Sequence, residues 1–334
     1  MQKAVRYLET GSVDPFFNLA FEEYVLQNRK QGDYLILWQN ENTVVIGQNQ
    51  NAEAEINRSF VERHSIKVVR RTTGGGAVYH DLGNLNYSFI TDAGELSTLT
   101  MSRFTDAVVN ALKSLGLQSE ASGRNDILVS GKKVSGTAQR VVGGRILYHG
   151  TLLFDSDPDM VSGALNADPA KFVSKSSKSV RSRIGNIRQM LSDDMTLTQF
   201  WNRIKNELSG GGFTADSLSE DELQKVNQLM EDKYSRWEWN FGRSPKYELT
   251  NKQRYPGGTL EVSVKVESGI ITDIVFYGDF MAVAPLDPIL KALKGTPFKR
   301  EKVEKIISEF SVSDMFGTIT KEEILDTVFH AGDR

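Results

Sequence analysis

The most unusual stretch of this sequence runs from Arg70 to Gly76 and reads RRTTGGG. Three adjacent glycines between strand-like segments weaken a sheet unless the backbone has to approach another group closely. The N–H groups of such a loop can form a concavity for anions, and arginine forks suit carboxylate and phosphate groups. The stretch therefore predicts an anion-binding loop, although a solvated glycine-rich turn would have the same composition.

A second candidate for anion chemistry lies in a predicted hairpin, where Lys133 stands between Gly131 and Gly136. Most hairpin lysines are solvated. If Lys133 instead enters an anion pocket, its ammonium can stabilise two oxygens that gain charge together, as in acyl–phosphate chemistry. His149 begins another predicted strand, where a structural role and a binding role are both compatible with the pattern.

A third candidate is the segment 170–190, which carries six basic residues and no acidic one. A solvated loop and a mobile flap over a polyphosphate both fit this composition. RNA binding is disfavoured because the segment offers no set of aromatic platforms for stacked bases. The basic residues are Lys171, Lys175, Lys178, Arg181, Arg183 and Arg188.

The composition of the 334-residue chain excludes several other kinds of chemistry. It contains no cysteine, which excludes disulfides, cysteine-ligated metals and a cysteine thioester intermediate. The formal net charge of −3 argues against a generally basic surface for nucleic acid. Because no apolar run is long enough to span a membrane and the N-terminus lacks a signal core, we expect a cytoplasmic protein.

The elements that must position these residues alternate irregularly between strands and helices. This order favours an α+β fold over a doubly wound sheet. Asp14 and Pro15 mark the start of the first helix. Further helices are predicted over residues 53–64, 99–115, 158–165, 197–208 and 219–234. Strands are predicted over 35–38, 43–46, 66–70, 77–80, 85–90, 126–129, 132–139 and 145–154.

The character of the chain changes after Trp237. Residues 240–254 are polar and contain Gly242 and Pro245. Beyond them, a hairpin is predicted over 259–266 and 270–277, followed by helices over 286–293, 302–310 and 321–329. We therefore expect two domains, residues 1–245 and 252–334.

Three segments, in this order, resemble motifs of the lipoate–protein ligase family. The first is RRTTGGGAVYHDLGN from Arg70, the second is GRND from Gly123 followed by KVSGTAQR from Lys133, and the third is HGTL from His149. The resemblance covers about residues 14–245, and the remaining tail has the length of the family's small C-terminal domain. It implies an α+β, biotin/lipoate ligase-like catalytic domain with mixed sheets and flanking helices, plus a small α+β C-terminal domain.

The resemblance implies a reaction in two steps. Lipoate, or octanoate, reacts with ATP and Mg²⁺ to give an acyl-AMP and pyrophosphate. A lysine of a lipoyl-bearing acceptor then displaces AMP. The implied partners are the lipoyl domains of 2-oxoacid dehydrogenase complexes and the glycine cleavage H protein, with neither nucleic acid nor a membrane involved.

The family motifs also imply roles for individual residues, with Lys133 as the catalytic group. Lys178, Arg181 and Arg183 would belong to a mobile loop, and Asp126 would meet the magnesium of Mg-ATP. The implied contacts to ATP or the adenylate are Arg71, Gly75, Gly76, Ala77, Val78, Tyr79, Asn125, Asp126 and Lys133. The implied contacts to lipoate are Glu22, Trp38, Arg70, Thr72, Lys133, Arg140 and His149.

Two other functions remain compatible with the sequence. One is a lipoyl or octanoyl transferase that takes a preformed acyl-adenylate or a carrier-bound acyl group. The other is a non-catalytic lipoate-binding protein. Retention of Lys133 and of both glycine-rich segments argues against the second of these.

Overall fold

The computed structural model describes residues 5–94, 102–166, 183–241, 249–267 and 269–329. The strands are β1 (Val5–Glu9), β2 (Tyr34–Trp38), β3 (Thr43–Ile46), β4 (Lys67–Arg70), β5 (Val78–His80), β6 (Asn84–Asp92), β7 (Ser119–Ser122), β8 (Asp126–Val129), β9 (Lys132–Val142), β10 (Arg145–Leu153), β11 (Phe213–Ala215), β12 (Leu249–Tyr255), β13 (Gly258–Glu267) and β14 (Ile270–Gly278).

Helices flank these strands throughout the described residues. They are α1 (Pro15–Asn28), α2 (Ala52–Glu55), α3 (Arg58–Arg63), α4 (Ser102–Ser114), α5 (Pro158–Ala164), α6 (Leu197–Leu208), α7 (Glu220–Leu229), α8 (Trp237–Asn240), α9 (Asp287–Leu293), α10 (Arg300–Ile307), α11 (Val312–Phe316) and α12 (Lys321–Phe329). The predicted α+β class with mixed sheets is confirmed. None of the helices in the described ranges has the length and apolarity needed to cross a membrane.

One eight-stranded sheet has the order β11-β1-β2-β6-β10-β9-β8-β7. The first three of these strands pair in parallel and the later neighbours pair antiparallel. Alternate side chains reach opposite faces, as the two-residue period of a strand requires. Thus Leu35 and Leu37 pack with α4 and α6, whereas Ile36 and Trp38 pack with α1.

Two smaller sheets complete the fold. The order β4-β3-β5 puts the glycine loop between two strands that both pair with β3, and α2, α3 and α5 cover this sheet. The order β12-β13-β14 forms a meander whose own hydrophobic cluster includes Phe276, Phe280 and Phe316.

The first helix begins as predicted, because the Asp14 carboxylate accepts the N–H of Phe16 at 3.0 Å and Pro15 takes the first helical position. The predicted helix over 53–64 is interrupted. Ile56 forms an extended bridge with Leu165, and the Asn57 side chain caps α3 by accepting from Phe60 N at 3.3 Å. Strands β1, β7, β11 and β12 were not predicted. Residues 249–252, just before the expected start of the second domain, lie within β12.

The last residue of β14 and the loop after it, residues 278–283, hold the C-terminal part against the glycine loop. We call this contact the seam. Three main-chain hydrogen bonds cross it, from Gly75 N to Phe280 O (3.4 Å), from Gly278 N to Asn49 O (2.9 Å) and from Val141 N to Val283 O (3.3 Å). At Gly74 an added Cβ would lie 2.9 Å from Phe280 O, so this approach requires a glycine.

Candidate active site

A cavity of about 920 Å³ lies between the large sheet, β5 and α5, and Arg254 of β12 and Asp279 line part of it. Its volume is within the range usual for small-molecule sites. We call the part lined by Arg124, Asp126, Lys133, Arg254 and Asp279 the charged end. We call the part lined by Leu19, Trp38, Val45, His80, Asn86 and His149 the buried end, since these six residues are at most 7% exposed.

A β-bulge positions Lys133 in the charged end. Opposite β8, the register shifts so that Leu128 pairs with Lys133 while Ile127 pairs with Ser135. The bulge turns Val134 inward, and Lys133 Nζ lies 2.7 Å from the Asp126 Oδ1 carboxylate oxygen. Both side chains remain about one-third exposed, at 34% and 36%. The ammonium is therefore held in the cavity by a partner that solvent and an anionic ligand can also reach.

Gly136 keeps the space beside this ammonium open. A Cβ at position 136 would lie 3.3 Å from Lys133 Nζ, and the Gly136 N–H donates to Thr151 Oγ1 at 3.1 Å. Asn125 packs alongside, because its carbonyl accepts the Thr137 N–H at 2.8 Å. The strand pair thus fixes Lys133 and Asn125 on one wall of the cavity.

Two arginines from different parts of the chain complete the charged end. Arg254 of β12 lies 3.0 Å from Asp279 Oδ2, and Arg124 donates to the Gly257 carbonyl. Burial lowers the pKa of Arg124, the nearby Asp279 opposes that shift, and Arg254 adds to it. Because the two guanidinium groups repel each other, an added anion would be stabilised between them.

Arg71 shapes the glycine loop from within. Its guanidinium donates to Thr73 Oγ1 at 2.9 Å and to the carbonyls of Gly74 and Gly76 at 2.6 and 2.8 Å. Burial lowers the pKa of Arg71 to about 10, and the Glu22 carboxylate opposes this shift. Arg71 therefore stays charged at neutral pH, and most of its contacts hold the loop.

The buried end contains a continuous chain of hydrogen bonds. Trp38 Nε1 donates to Ser88 Oγ at 2.9 Å, and Ser88 Oγ donates to Glu22 Oε1 at 2.5 Å. His149 then bridges, with Nδ1 2.8 Å from Glu22 Oε1 and Nε2 2.8 Å from Thr73 Oγ1. The residues expected to enclose a lipoyl tail are thus connected to each other and to the glycine loop.

The structure places Arg70 away from the cavity. Its guanidinium is fully buried. The nitrogens donate, at distances of 2.7 to 3.0 Å, to the main-chain carbonyls of Gly47, Gln48, Gln50, Trp239 and Asn240. Arg70 therefore ties a turn to α8 and does not line the cavity, so its expected contact with lipoate stays a prediction.

Four more expected contacts lie outside the cavity wall formed by the described residues. Arg140 Nη1 is 3.8 Å from Glu23 Oε1 on α1. Thr72 is buried, Gly75 faces the seam at a φ of +86°, and Glu22 is connected to the cavity wall through His149 and, by way of Ser88, through Trp38. Each can act on a ligand indirectly, by positioning the loop or the residues around it.

The remaining expected residues line the cavity where they are described. These are Trp38, Arg71, Gly76, Ala77, Val78, Tyr79, Asn125, Asp126, Lys133, His149 and Arg183. Lys178 and Arg181 lie outside the described residues. The described chain resumes at Arg183, and the next residue, Ile184, bridges to Lys133.

Sequence reasoning missed several wall residues. Arg254 and Asp279 lie beyond the matched motifs, and no local pattern marks them. Val161 and Leu165 of the α5 region form an apolar wall near Tyr79, whose pKa burial raises to about 12. His80 and Asn86 lie in or beside the first motif, and their polarity in buried strands could have identified them.

The matching family models cover most of the chain. The lipoyl protein ligase A/B catalytic domain matches residues 14–209, and the bacterial lipoate protein ligase C-terminus matches residues 244–328. The chain is 41% identical to the lipoate-protein ligase LplJ of Bacillus subtilis, over 95% of this chain and 97% of that protein.

Solved structures agree with these matches. A bipartite lipoate protein ligase from Thermoplasma acidophilum, solved in a study of that ligase and its E2 lipoyl domain, is 32% identical with a TM-score of 0.64, covering 75% of this chain and 100% of that one. A lipoate-protein ligase A bound with ATP is 29% identical with a TM-score of 0.63, covering 72% and 99%.

Proposed function

Because this chain belongs to the lipoate–protein ligase family, we propose that it joins lipoate to a lysine of an acceptor protein in two ATP-dependent steps. The observation that carries this function is the position of Lys133. Its ammonium stands in the cavity between the carboxylate of Asp126 and the open space above Gly136.

In the first step, a lipoate carboxylate oxygen attacks the α-phosphorus of ATP. The new P–O bond forms as the bond to the bridging oxygen breaks, and pyrophosphate leaves. Since two anions approach each other, fixed positive charge lowers the barrier. Lys133 supplies that charge between the acyl oxygen and the α-phosphate, and it acts in its protonated form rather than as a base.

In the second step, the neutral amine of the acceptor lysine attacks the acyl carbon. The amide C–N bond forms, the C–O bond to the phosphate breaks, AMP leaves, and the amine releases a proton. Negative charge develops on the acyl oxygen and then on the AMP phosphate. The same ammonium of Lys133 stabilises both.

The two ends of the cavity suit the two halves of lipoyl-AMP. We assign the buried end to the acyl tail, where Trp38 and His149 form the wall. Gly76, Ala77, Val78 and Tyr79 would line the nucleotide, with Asn125 and Asp126 near the ribose and phosphates. Arg71 would act by holding the loop in shape.

Magnesium fits the charged end as a companion of ATP. A single carboxylate plus phosphate oxygens is a common Mg²⁺ environment, and Asp126 provides that carboxylate. Within the described residues no group of three histidine, cysteine or carboxylate side chains could hold a metal by itself. The ion would add positive charge at the phosphates.

Lipoyl domains are the acceptors we propose, since the archaeal relative was studied together with an E2 lipoyl domain. The finer assignment to 2-oxoacid dehydrogenase complexes and the glycine cleavage H protein stays a prediction, as does a cytoplasmic location. Intact-mass measurement of a lipoyl domain after incubation with the enzyme, lipoate and ATP tests the class of acceptor.

ATP–pyrophosphate exchange separates this function from its alternatives. A ligase exchanges labelled pyrophosphate into ATP when lipoate is present. A transferase that uses preformed lipoyl-AMP would modify the acceptor without exchange, and a lipoate-binding protein would do neither. The presence of Arg254 in the cavity, in addition to Lys133, favours the ligase, because a transferase has no polyphosphate to bind.

A further inference from the structure

The stretch of β9 that carries Lys133 has a regular strand partner on one edge only. Pairing between β9 and β10 ends where Thr137 faces Gly150, and residues 132–136 extend past that point. On the other edge, β8 pairs with this stretch through the bulge described above. Because a bulge disrupts the ladder of hydrogen bonds locally, the sheet by itself does little to fix the main chain of Lys133.

A short segment that begins at the cavity wall supports this main chain. Ile184 forms a parallel bridge with Lys133, and Gly185 N donates to Lys133 O at 2.9 Å. Ile184 also lines the cavity and packs with the hydrophobic cluster of the sheet β4-β3-β5. We call residues 184–188 the brace. Since β8 occupies one edge of β9, the brace lies on the edge that β10 leaves open.

The brace is itself held by the main chain that follows β10. The Asn186 side chain accepts from Ser156 N at 3.0 Å and donates to Ser156 O at 2.8 Å. Arg188 N donates to Phe154 O at 2.9 Å, and the side chain of Ile187 is fully buried. The brace is therefore a fixed part of the fold, joined to the large sheet at both of its ends.

Gly185 allows the brace to approach β9 this closely. Its φ lies outside the left-handed region, so its backbone conformation does not require glycine. The available space does, because an added Cβ would lie 3.0 Å from Lys132 Cβ and would overlap Met190 Cε. The Met190 methyl group ends a flexible side chain and can turn away, whereas Lys132 Cβ is attached to the strand. A side chain at position 185 would therefore push the brace away from β9.

We propose that Gly185 is a positioning residue for the ammonium of Lys133. The inference rests on the proposed function, since both of its steps depend on that charge. A lysine ammonium stands on a flexible four-carbon stem, so the location of the main chain limits where the charge can reach. Gly185 fixes the main-chain end of Lys133 at the bulge, and Asp126 holds the ammonium end at 2.7 Å.

The effect of this support belongs to the reaction rate rather than to substrate binding. The residues assigned to the tail and the nucleotide, such as Trp38 and Tyr79, lie on β2 and β5, whereas the brace is joined to β9 and to the chain after β10. A displacement of about 1 Å in a reacting group can cost about 100-fold in rate. For the smaller shift that one methyl group requires, we expect kcat to fall about tenfold.

Two substitutions displace the brace in different ways. Gly185→Ala acts at the contact with β9, and Asn186→Ala removes both hydrogen bonds to Ser156 without adding an atom beside Lys132. Gly212→Ala is the matched control for the added methyl group, because its Cβ meets open space.

The experiment measures exchange of labelled pyrophosphate into ATP by the full chain, over a range of lipoate and ATP concentrations. The proposal expects both brace variants to lower kcat, with KM for ATP and for lipoate within about twofold of the wild type. Gly212→Ala should match the wild type in kcat and KM.

A double-mutant cycle with Lys133→Ala separates positioning from a general disturbance of the fold. If Gly185 acts through the ammonium, adding Gly185→Ala to Lys133→Ala should lower the remaining exchange no further. If the methyl group instead disturbs the fold or the cavity as a whole, the same tenfold loss should appear with and without Lys133.

Three results would overturn the proposal: an unchanged kcat in either brace variant, a rise in KM without a fall in kcat, or equal losses from Gly185→Ala in the two backgrounds. Absence of exchange by the wild type would instead reject the proposed ligase function, and normal exchange by Lys133→Ala would reject the role of Lys133 in it. Failure of the brace is therefore distinguishable from failure of the proposed function.

Discussion

The two ends of the cavity differ in how their polar groups are held and in how exposed these groups are. In the buried end, polar side chains and one buried carboxylate are joined by short hydrogen bonds from Trp38 to Thr73, and the wall comes from residues before position 150. In the charged end, Lys133 pairs with Asp126 and Arg254 pairs with Asp279, and the second pair comes from β12 and the loop after β14.

This difference separates the part of the site that must be rigid from the part whose groups must change partners. An acyl tail gains affinity from a preformed pocket, because little entropy is lost on binding. A polyphosphate must replace the carboxylates that hold the cations in its absence. The charged end therefore depends on ion pairs that can exchange a carboxylate for a phosphate. It also needs the seam, which brings its residues from the two parts of the chain together.

Lys133 should give the largest effect at the charged end. Lys133→Ala removes the charge that serves both steps, so pyrophosphate exchange and acceptor modification should each fall at least about 100-fold. Because the side chain is one-third exposed, the melting temperature should stay close to that of the wild type. Exchange at a near-normal rate would show that the catalytic charge lies elsewhere.

Arg254 should separate the two steps. Arg254→Ala removes a cation beside the expected polyphosphate, and adenylation should fall about tenfold or more. Transfer from preformed lipoyl-AMP contains no pyrophosphate and should change little. Arg300→Ala is the matched control, since Arg300 also pairs with carboxylates after β12 but lies on α10. Equal losses in both steps would refute a polyphosphate role.

A methyl group at the seam tests whether the charged end needs its two halves together. Gly74→Ala would bring Cβ to 2.9 Å from Phe280 O and 3.2 Å from Ala282 N. The loop 278–283 must then shift, which should lower adenylation several-fold and stability by about 1–3 kcal/mol. Gly212→Ala meets open space and serves as the control. A fully active Gly74→Ala enzyme would show that the seam is irrelevant to catalysis.

The smallest effect is expected at the buried end. Glu22→Gln keeps the shape of the side chain but removes its charge from the contacts to Ser88 and His149. We expect KM for lipoate to rise about fivefold with little change in kcat, since charged hydrogen bonds exceed neutral ones by about 1 kcal/mol.

The neighbouring carboxylate provides the control for that variant. Glu23 accepts from Lys233 at 2.7 Å and from Tyr234 at 2.7 Å, and it is not among the residues that line the cavity. Glu23→Gln should lower the melting temperature and leave KM unchanged. If Glu23→Gln raised KM as much as Glu22→Gln, the proposed separation between the site and its support would fail.

Much of the fold followed from local patterns. Helix α6 over 197–208 and strands β3 and β8 have the bounds that periodicity and caps predicted. Strand β1 was missed because its five residues do not alternate: Arg6 and Glu9 are exposed, and the two residues between them, Tyr7 and Leu8, are both buried. Helix 53–64 was overextended because its interruption depends on a bridge to Leu165, a partner more than a hundred residues away.

The sequence predicted the site less completely than the fold, for a physical reason. Motifs indicate which residues lie near the ligand but not which way each side chain points. Arg70 is the last residue of β4 and Arg71 follows it directly, so their side chains point to opposite sides. Only Arg71 lines the cavity, whereas the guanidinium of Arg70 donates to carbonyls of the turn at 47–50. Arg254 could not be identified because it reaches the site through tertiary contact alone.

The seam has a consequence for evolutionary drift. Its three hydrogen bonds join main-chain atoms, so they survive nearly any change of side chain at the residues that make them. Selection can hold the two parts of the chain together by retaining small residues such as Gly74, while the rest of the contact diverges freely. Homologues would then share this junction although few residues in it besides glycine are the same. Few substitutions on one side of the seam would be accompanied by a substitution on the other side.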